Sequence, residues 1–363
     1  MTSSSFPDFD ILALPLTMQA AVIKNLGPAE TLKIATNNKD FREVLSTHKL
    51  HATSLYYKWE VDPWDARVYI EVDFGENTSK FWICVPFGTP STLKTGTEKR
   101  QTPLEIGDIV FKLQEFEHMD GRYWNPPIMC LESDRVLPGV TQWDVLGTYA
   151  SFLMDLIKIE KVEVWGSFSE SNDLLKCFLW KHHREISEIF SNLNNEKTHM
   201  ENFKFLNEQL AVEKCTLDFR GKPLDENRST YTTPIVIPNV AICGANFLHP
   251  DAVLKSSSSC INVSEYAAPY SLLNAVVKKW VNGGLANLQK IKICGGHLRP
   301  LVKDEEFLEG IVATRKDSEH GTPPTEGEKR QFDVRRSTDG ALATISFDYK
   351  KEFEFWIQKP SEN

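Results

Sequence analysis

"SLLNAVVKKWVNGGLANLQKIKICGG", residues 271–296, decides the fold: it reads as a helix, a glycine turn and a strand in succession. Over 271–281 the apolar residues Leu273, Val276, Val277 and Trp280 recur at three- and four-residue spacing, which places them on one helical face. Gly283-Gly284 end that helix, because glycine accepts the left-handed backbone of a helix C-terminus. "KIKICGG" (290–296) then alternates apolar and polar residues with the period of a strand. Trp280 shares the apolar face, so its expected role is core packing.

The strand half of this unit recurs upstream. "KVEVWG" (161–166), "KCTLDFRG" (214–221), "NVAICGAN" (239–246) and "SCINVSE" (259–265) are its counterparts. The spacing from 240 to 261 to 291 lies near that of leucine-rich repeats, each one strand plus a helix or turn. Because the lengths are irregular, the array is read as LRR-like only. Strands alternating with helices favour a parallel sheet with right-handed crossovers. An α/β domain over 146–360 is therefore expected. It closes with a hairpin turning at Asp339-Gly340 in "DVRRSTDGALATISF" (333–347) and a last strand, "FEFWI" (353–357). The charged, Pro/Gly-rich stretch 314–330 is expected to be a mobile loop.

Towards the N-terminus, residues 52–145 form a strand-rich connecting region. "RVYIEVDF" (67–74), "KFWICVPF" (80–87) and "DIVFKLQEF" (108–116) are its strands, and 92–107 reads as a long loop. Ahead of it, "LPLTMQAAVIKNLGPAETLKIA" (14–35) reads as two short helices broken at Gly27-Pro28. Pro15 suits a first helical turn, where its missing N–H costs nothing. Asn37-Asn38 precede a third helix with Phe41, Val44 and Leu45 on one face. The expected class is thus α+β/α/β: a three-helix unit over 9–48, a strand-rich segment, then alternating strands and helices.

The first of these helices carries an excess of apolar surface. On a helical wheel Leu16, Met18, Ala20, Val22, Ile23 and Leu26 cover an arc of roughly 200°, interrupted by Gln19 and about twice what one-sided packing needs. Either the protein's own core or another protein must cover it.

Bulk properties exclude several classes. The formal charge of −9 and pI near 5.6 argue against a general nucleic-acid binder, which needs a basic face. No basic segment precedes an apolar N-terminal core, and no apolar run reaches the ~18 residues of a membrane span. An intracellular protein of cytoplasm or nucleus, with no membrane partner, is expected. Seven scattered cysteines in a reducing compartment imply buried thiols. The N-x-S sequons at Asn77, Asn227 and Asn262 read as chance matches.

No catalytic signature is legible. Cys294-Gly-Gly-His297 lacks a second Cys/His pair at zinc spacing and reads as a strand end with a glycine turn. His182-His183 are adjacent, so they diverge on a helix and read as exposed polar residues. Nucleotide-binding glycine motifs and a serine elbow are missing. Arg335-Arg336 could bind an anion, but alternation along a strand would separate them. No metal, cofactor or catalytic residue is therefore assigned.

Two resemblances then suggest a function. Leu14-Pro15, the Ile23-x-x-Leu26 spacing, Gly27-Pro28, Leu32 and "NKDFREV" (38–44) resemble an F-box. The chain departs from that pattern at Thr17-Met18-Gln19, where an acidic residue often stands, and at Ala29, the usual place of an Asp. "LLNAVVKKWVNG" (272–283) followed by "LQKIKI" (288–293) is similar to the nematode-type F-box-associated domain (type 2), through Asn274, Val276, Val277, Trp280 and Gly283. "DVRRSTDGALATI", with Arg335, Arg336 and Gly340, resembles that family's C-terminal motif.

The resemblance implies a non-catalytic, substrate-recruiting subunit of a Skp–cullin–F-box ubiquitin ligase. Leu14, Pro15, Leu16, Ile23 and Leu26 would dock a Skp-type adaptor, and through it a cullin scaffold. The C-terminal domain would hold a target protein. Candidate target surfaces are loop 92–107, loop 314–330 and the solvent face of the strand array. The rival expectation is a ligand-binding or enzymatic α/β protein whose N-terminal helices pack intramolecularly.

Overall fold

A computed structural model describes residues 11–62, 65–75, 81–87, 102–106, 109–116, 128–133, 142–168, 174–193, 199–219, 230–266, 268–295, 304–316, 330–347 and 352–358. The chain divides into two compact units, one running to Ser167 and taking in Lys176–Arg184, the other comprising Phe168–Leu175 and everything from Glu185 on. Helices lead the first unit and a mixed sheet with helices builds the second, an α+β organisation.

The first unit opens with a 3₁₀ turn at Ile11–Ala13 and three helices: α1 (Leu16–Leu26), α2 (Pro28–Asn37) and α3 (Lys39–Thr47). Gly27 makes the first break at φ 78°, a conformation open to glycine, and Pro28 starts α2 where no N–H is needed. At the second break Asn38 Oδ1 accepts the Phe41 N–H at 2.9 Å and caps α3. Leu32, Ala35, Phe41, Val44 and Leu45 are buried, so α2 and α3 carry the packing of this group.

Strands β1 (Leu50–Asp62), β2 (Asp65–Asp73), β3 (Phe81–Phe87), β4 (Thr102–Ile106), β5 (Ile109–Phe116) and β6 (Ile128–Ser133) follow, then α4 (Gln142–Leu156) and β7 (Ile157–Phe168). Their order is β7-β1-β2-β3-β6-β5-β4. β1 pairs β7 in parallel, and β3 pairs β6 in parallel; the other neighbours are antiparallel. A short helix, α5 (Leu179–His182), completes the unit. Arg42 on α3 lies 5.7 Å from the Phe152 ring of α4, joining helices about a hundred residues apart in sequence.

Two expectations change here. Strand β4 occupies 102–106, inside the stretch read as one loop; 92–101 lie outside the described residues. The pattern-based boundary at 145/146 also shifts, since α4 and β7 group with the N-terminal unit. The cause is the Leu50↔Ile157 to Lys58↔Trp165 register between β1 and β7, a long-range pairing that local patterning does not reveal.

The second unit contains β8 (Glu185–Leu193), α6 (His199–Gln209), β9 (Ala211–Asp218), β10 (Asn239–Cys243), α7 (Pro250–Leu254), β11 (Cys260–Ser264), α8 (Tyr270–Val281), β12 (Lys290–Cys294) and α9 (Asp304–Phe307). It ends with β13 (Ala313–Arg315), β14 (Arg330–Arg335), β15 (Leu342–Phe347) and β16 (Glu352–Ile357). β8 through β12 run parallel in chain order, then β16, β15, β14 and β13 extend the sheet antiparallel. The stretch 314–330 is flanked by strand at both ends, through β13 and β14; 317–329 lie outside the described residues.

One face of this sheet is a continuous apolar layer. Val240, Ile261 and Ile291 are in register across β10, β11 and β12, as are Ile242, Val263 and Ile293, and all six are buried. Helix α8 packs on that layer: the Trp280 ring meets Phe355 of β16 edge-on at 5.1 Å, and Val276 and Val277 are fully buried. No described helix is long and apolar enough to cross a membrane.

Candidate protein-docking site

Helix α1 buries two side chains, Gln19 and Ile23, one turn apart. By spacing, Leu16, Gln19, Ile23 and Leu26 form a single seam along the helix. The protein covers only the middle of it. Leu16 is 64% exposed and Leu26 38%; Leu12, ahead of the N-terminal end, is 40% exposed, and Met18, on another side of the helix, 56%. Pro15 is exposed as well, and Leu14 half-buried.

The arrangement reverses one feature of the wheel. Gln19, the polar break in the apolar arc, is the residue turned inward. Its amide finds partners there: Nε2 donates to the Leu14 carbonyl at 2.9 Å, and the Leu12 carbonyl lies at 3.5 Å. Ile23, read as a docking residue, belongs to the protein's own packing. The Thr31 hydroxyl of α2, which donates to Gly27 O at 2.6 Å, lies 3.3 Å from the Ile23 carbonyl, and Ile23 is 8% exposed. Amphipathic arithmetic gives the width of an apolar arc but not the part that neighbouring helices cover.

The remaining signature residues form a second, structural cluster. Gly283 takes φ 84° after α8, its N–H donating to Trp280 O and that of Gly284 to Lys279 O, both at 2.9 Å. This pair of bonds is a Schellman cap. A Cβ on Gly283 would lie 2.5 Å from Thr338 Cγ2 in the β14–β15 turn. From the same turn, the Ser337 N–H and hydroxyl both donate to Val281 O at 2.8 Å. Asn274 Nδ2 donates to Phe307 O at 2.6 Å and Glu309 O at 3.2 Å, tying α8 to the end of α9.

The arginines are engaged within the hairpin. Arg335 donates to Gly340 O at 3.0 Å, and Arg336 forms two bonds to Asp339, Nε at 2.8 Å and Nη2 at 2.6 Å. The bond from Arg336 is the main reason the Asp339 carboxyl is held down at about 2. Gly340, at φ 74°, supplies the turn. These contacts serve architecture rather than a shared anion site.

Titratable groups elsewhere in the first unit point the same way. Tyr57 Oη and His183 Nε2 lie 3.1 Å apart and both residues are buried. Burial pushes His183 down to about 4, so its imidazole is neutral at pH 7. Burial likewise pushes the Cys177 thiol up to about 12, far from the thiolate a nucleophile needs. His183 is thus a core residue, correcting its reading as exposed; His182 is exposed, with Nε2 3.1 Å from Ser151 Oγ.

The cysteines also divide. Cys177 and Cys215 are buried, whereas Cys243, Cys260 and Cys294 are half-exposed, because outward-facing strand positions carry them. Cys294 ends β12 as expected; His297 lies outside the described residues. Among the described residues no group of three His, Cys, Asp or Glu side chains is placed to hold a metal. Opposite charges pair across neighbouring strands of this sheet: Lys214–Glu188 at 2.8 Å between the parallel β9 and β8, and Lys292–Glu352 at 3.0 Å and Lys290–Glu354 at 3.7 Å between β12 and the antiparallel β16.

No protein-family model, curated protein or solved structure matches this chain. The class of site therefore rests on the residues themselves, an incompletely covered apolar helix at one end of the described chain.

Proposed function

We propose that this protein is a substrate-recruiting subunit of a Skp–cullin–F-box ubiquitin ligase, its N-terminal helices serving as the F-box. The observation that carries the reading is the seam of α1, covered at Gln19 and Ile23 and open at Leu16 and Leu26. A soluble chain rarely leaves leucines of one helical seam in water without a partner for them. Leu14, Pro15, Leu16 and Leu26, joined by Leu12, form the surface for a Skp-type adaptor. Such an apolar anchor set is the usual core of a protein interface.

In this reading the chain makes no covalent chemistry. The second unit, with its LRR-like succession of strands, holds a target protein on the outward face of β8 to β12. Docking then raises the target's effective concentration at the ubiquitin-conjugating enzyme.

Co-purification of the full chain with a Skp-type adaptor tests the reading. Wild type should capture the adaptor, and Leu16→Asp/Leu26→Asp should not while keeping its helical content. A folded wild type that captures no adaptor sinks it.

A further inference from the structure

We infer that Gln19 is a positioning residue that clamps the Ile11–Ala13 turn against α1 and so sets the shape of the Leu12–Leu16 surface. The inference rests on the docking reading for its purpose, though not for its geometry. Gln19 is 5% exposed, and a glutamine so buried must satisfy its amide. It does so on backbone that precedes its own helix, at Leu14 O (2.9 Å) and towards Leu12 O (3.5 Å). The same turn is held by the Leu14 N–H donating to Ile11 O at 3.2 Å, and Ile11 is buried. Leu12, which carries one of the two carbonyls, and Leu16, two residues beyond the other, remain exposed.

A donor is essential at this position because both partners are carbonyl oxygens, which only accept. A carboxylate there would face them as a second acceptor, whereas a protonated carboxyl would restore one donor. Gln19→Glu therefore converts the clamp into a group with a pH dependence that packing alone cannot produce. Gln19→Leu keeps the bulk and removes the bonds.

Hydrogen exchange on the full chain without adaptor tests the clamp, with the Leu14 amide as reporter and the Val44 and Leu45 amides of α3 as the fold reference. Relative to wild type, Gln19→Glu should lose roughly tenfold protection at Leu14 at pH 8 and regain most of it below pH ~4, where the carboxyl takes up its proton. Gln19→Leu should lose a similar factor at both. Wild-type protection in Gln19→Leu, or a Gln19→Glu ratio that ignores pH, overturns the clamp. Should the glutamate variant fail to hold α3 together, the leucine variant decides alone. Adaptor capture by Gln19→Leu should fall about tenfold; unchanged capture with a loosened turn overturns the positioning role. A wild type that captures no adaptor sinks the docking reading and leaves the exchange result to judge the clamp.

Discussion

The guanidinium carbon of Arg336 lies 5.0 Å from the ring centre of Trp280, so a turn residue covers the largest side chain buried in the second unit. Trp280 lies in the last turn of helix α8, and Arg336 begins the β14–β15 turn more than fifty residues later. Arg336 is itself fixed by its paired bonds to Asp339. The two motifs are thus halves of one packing unit, closed by Ser337 on Val281 and Thr338 against Gly283.

Trp280→Ala should destabilise the second unit by about 3–5 kcal/mol, the range for removing a large aromatic from a core. Arg336→Ala should cost less, about 1 kcal/mol, as expected for a partly exposed cation–π contact. Denaturant titration followed by tryptophan fluorescence and by far-UV circular dichroism checks both. Equal losses in the two variants would contradict the hierarchy.

Gly283→Ala and Gly340→Ala impose the same kind of backbone strain, at φ 84° and φ 74°. Only the first adds a clash, with Thr338 Cγ2; nothing lies within 4 Å of a Cβ at Gly340. Gly340→Ala should cost about 1–2 kcal/mol, and Gly283→Ala visibly more. Gly283→Ala combined with Thr338→Gly should recover the excess, which thermal melts of the three variants will show.

Leu16→Asp and Ile23→Asp separate surface from core on one helix. Leu16, 64% exposed, should tolerate the change within about 0.5 kcal/mol. Ile23, 8% exposed, should lose several kcal/mol, because a carboxylate cannot be buried there without a partner. Melting temperatures read the stability, and adaptor titration of Leu16→Asp should show at least tenfold weaker binding.

His183 makes stability fall on acidification. Its folded value near 4 lies below the ordinary 6.5, so the unfolded chain binds the proton more readily. Stability is complete above pH ~6.5 and declines as pH drops towards 4, by on the order of 3 kcal/mol in total. Asp339, held at about 2, contributes in the same direction only in the more acidic window from about 3.8 downwards. Urea midpoints at pH 7 and pH 5 should differ in wild type, and by much less in His183→Gln.

The sequence by itself determined the local elements and their punctuation. Period-two runs gave β2, β3, β5, β9, β10, β11, β12 and β16 within a few residues, and three- and four-residue spacing gave α8 with Trp280 inward. Gly27-Pro28, Asn38, Gly283 and Gly340 mark real breaks, because left-handed backbone, a missing N–H and a side-chain cap are properties of single residues. Only the tertiary structure decided the rest. It placed β7 beside β1, buried His183 against Tyr57, set Cys243, Cys260 and Cys294 on the outward face, and turned Gln19 rather than Leu16 inward. Each of these depends on a neighbour distant in sequence or on backbone folded over the side chain. A one-dimensional pattern records how much apolar surface a helix has; which part of it stays in water is fixed only when the other elements have packed.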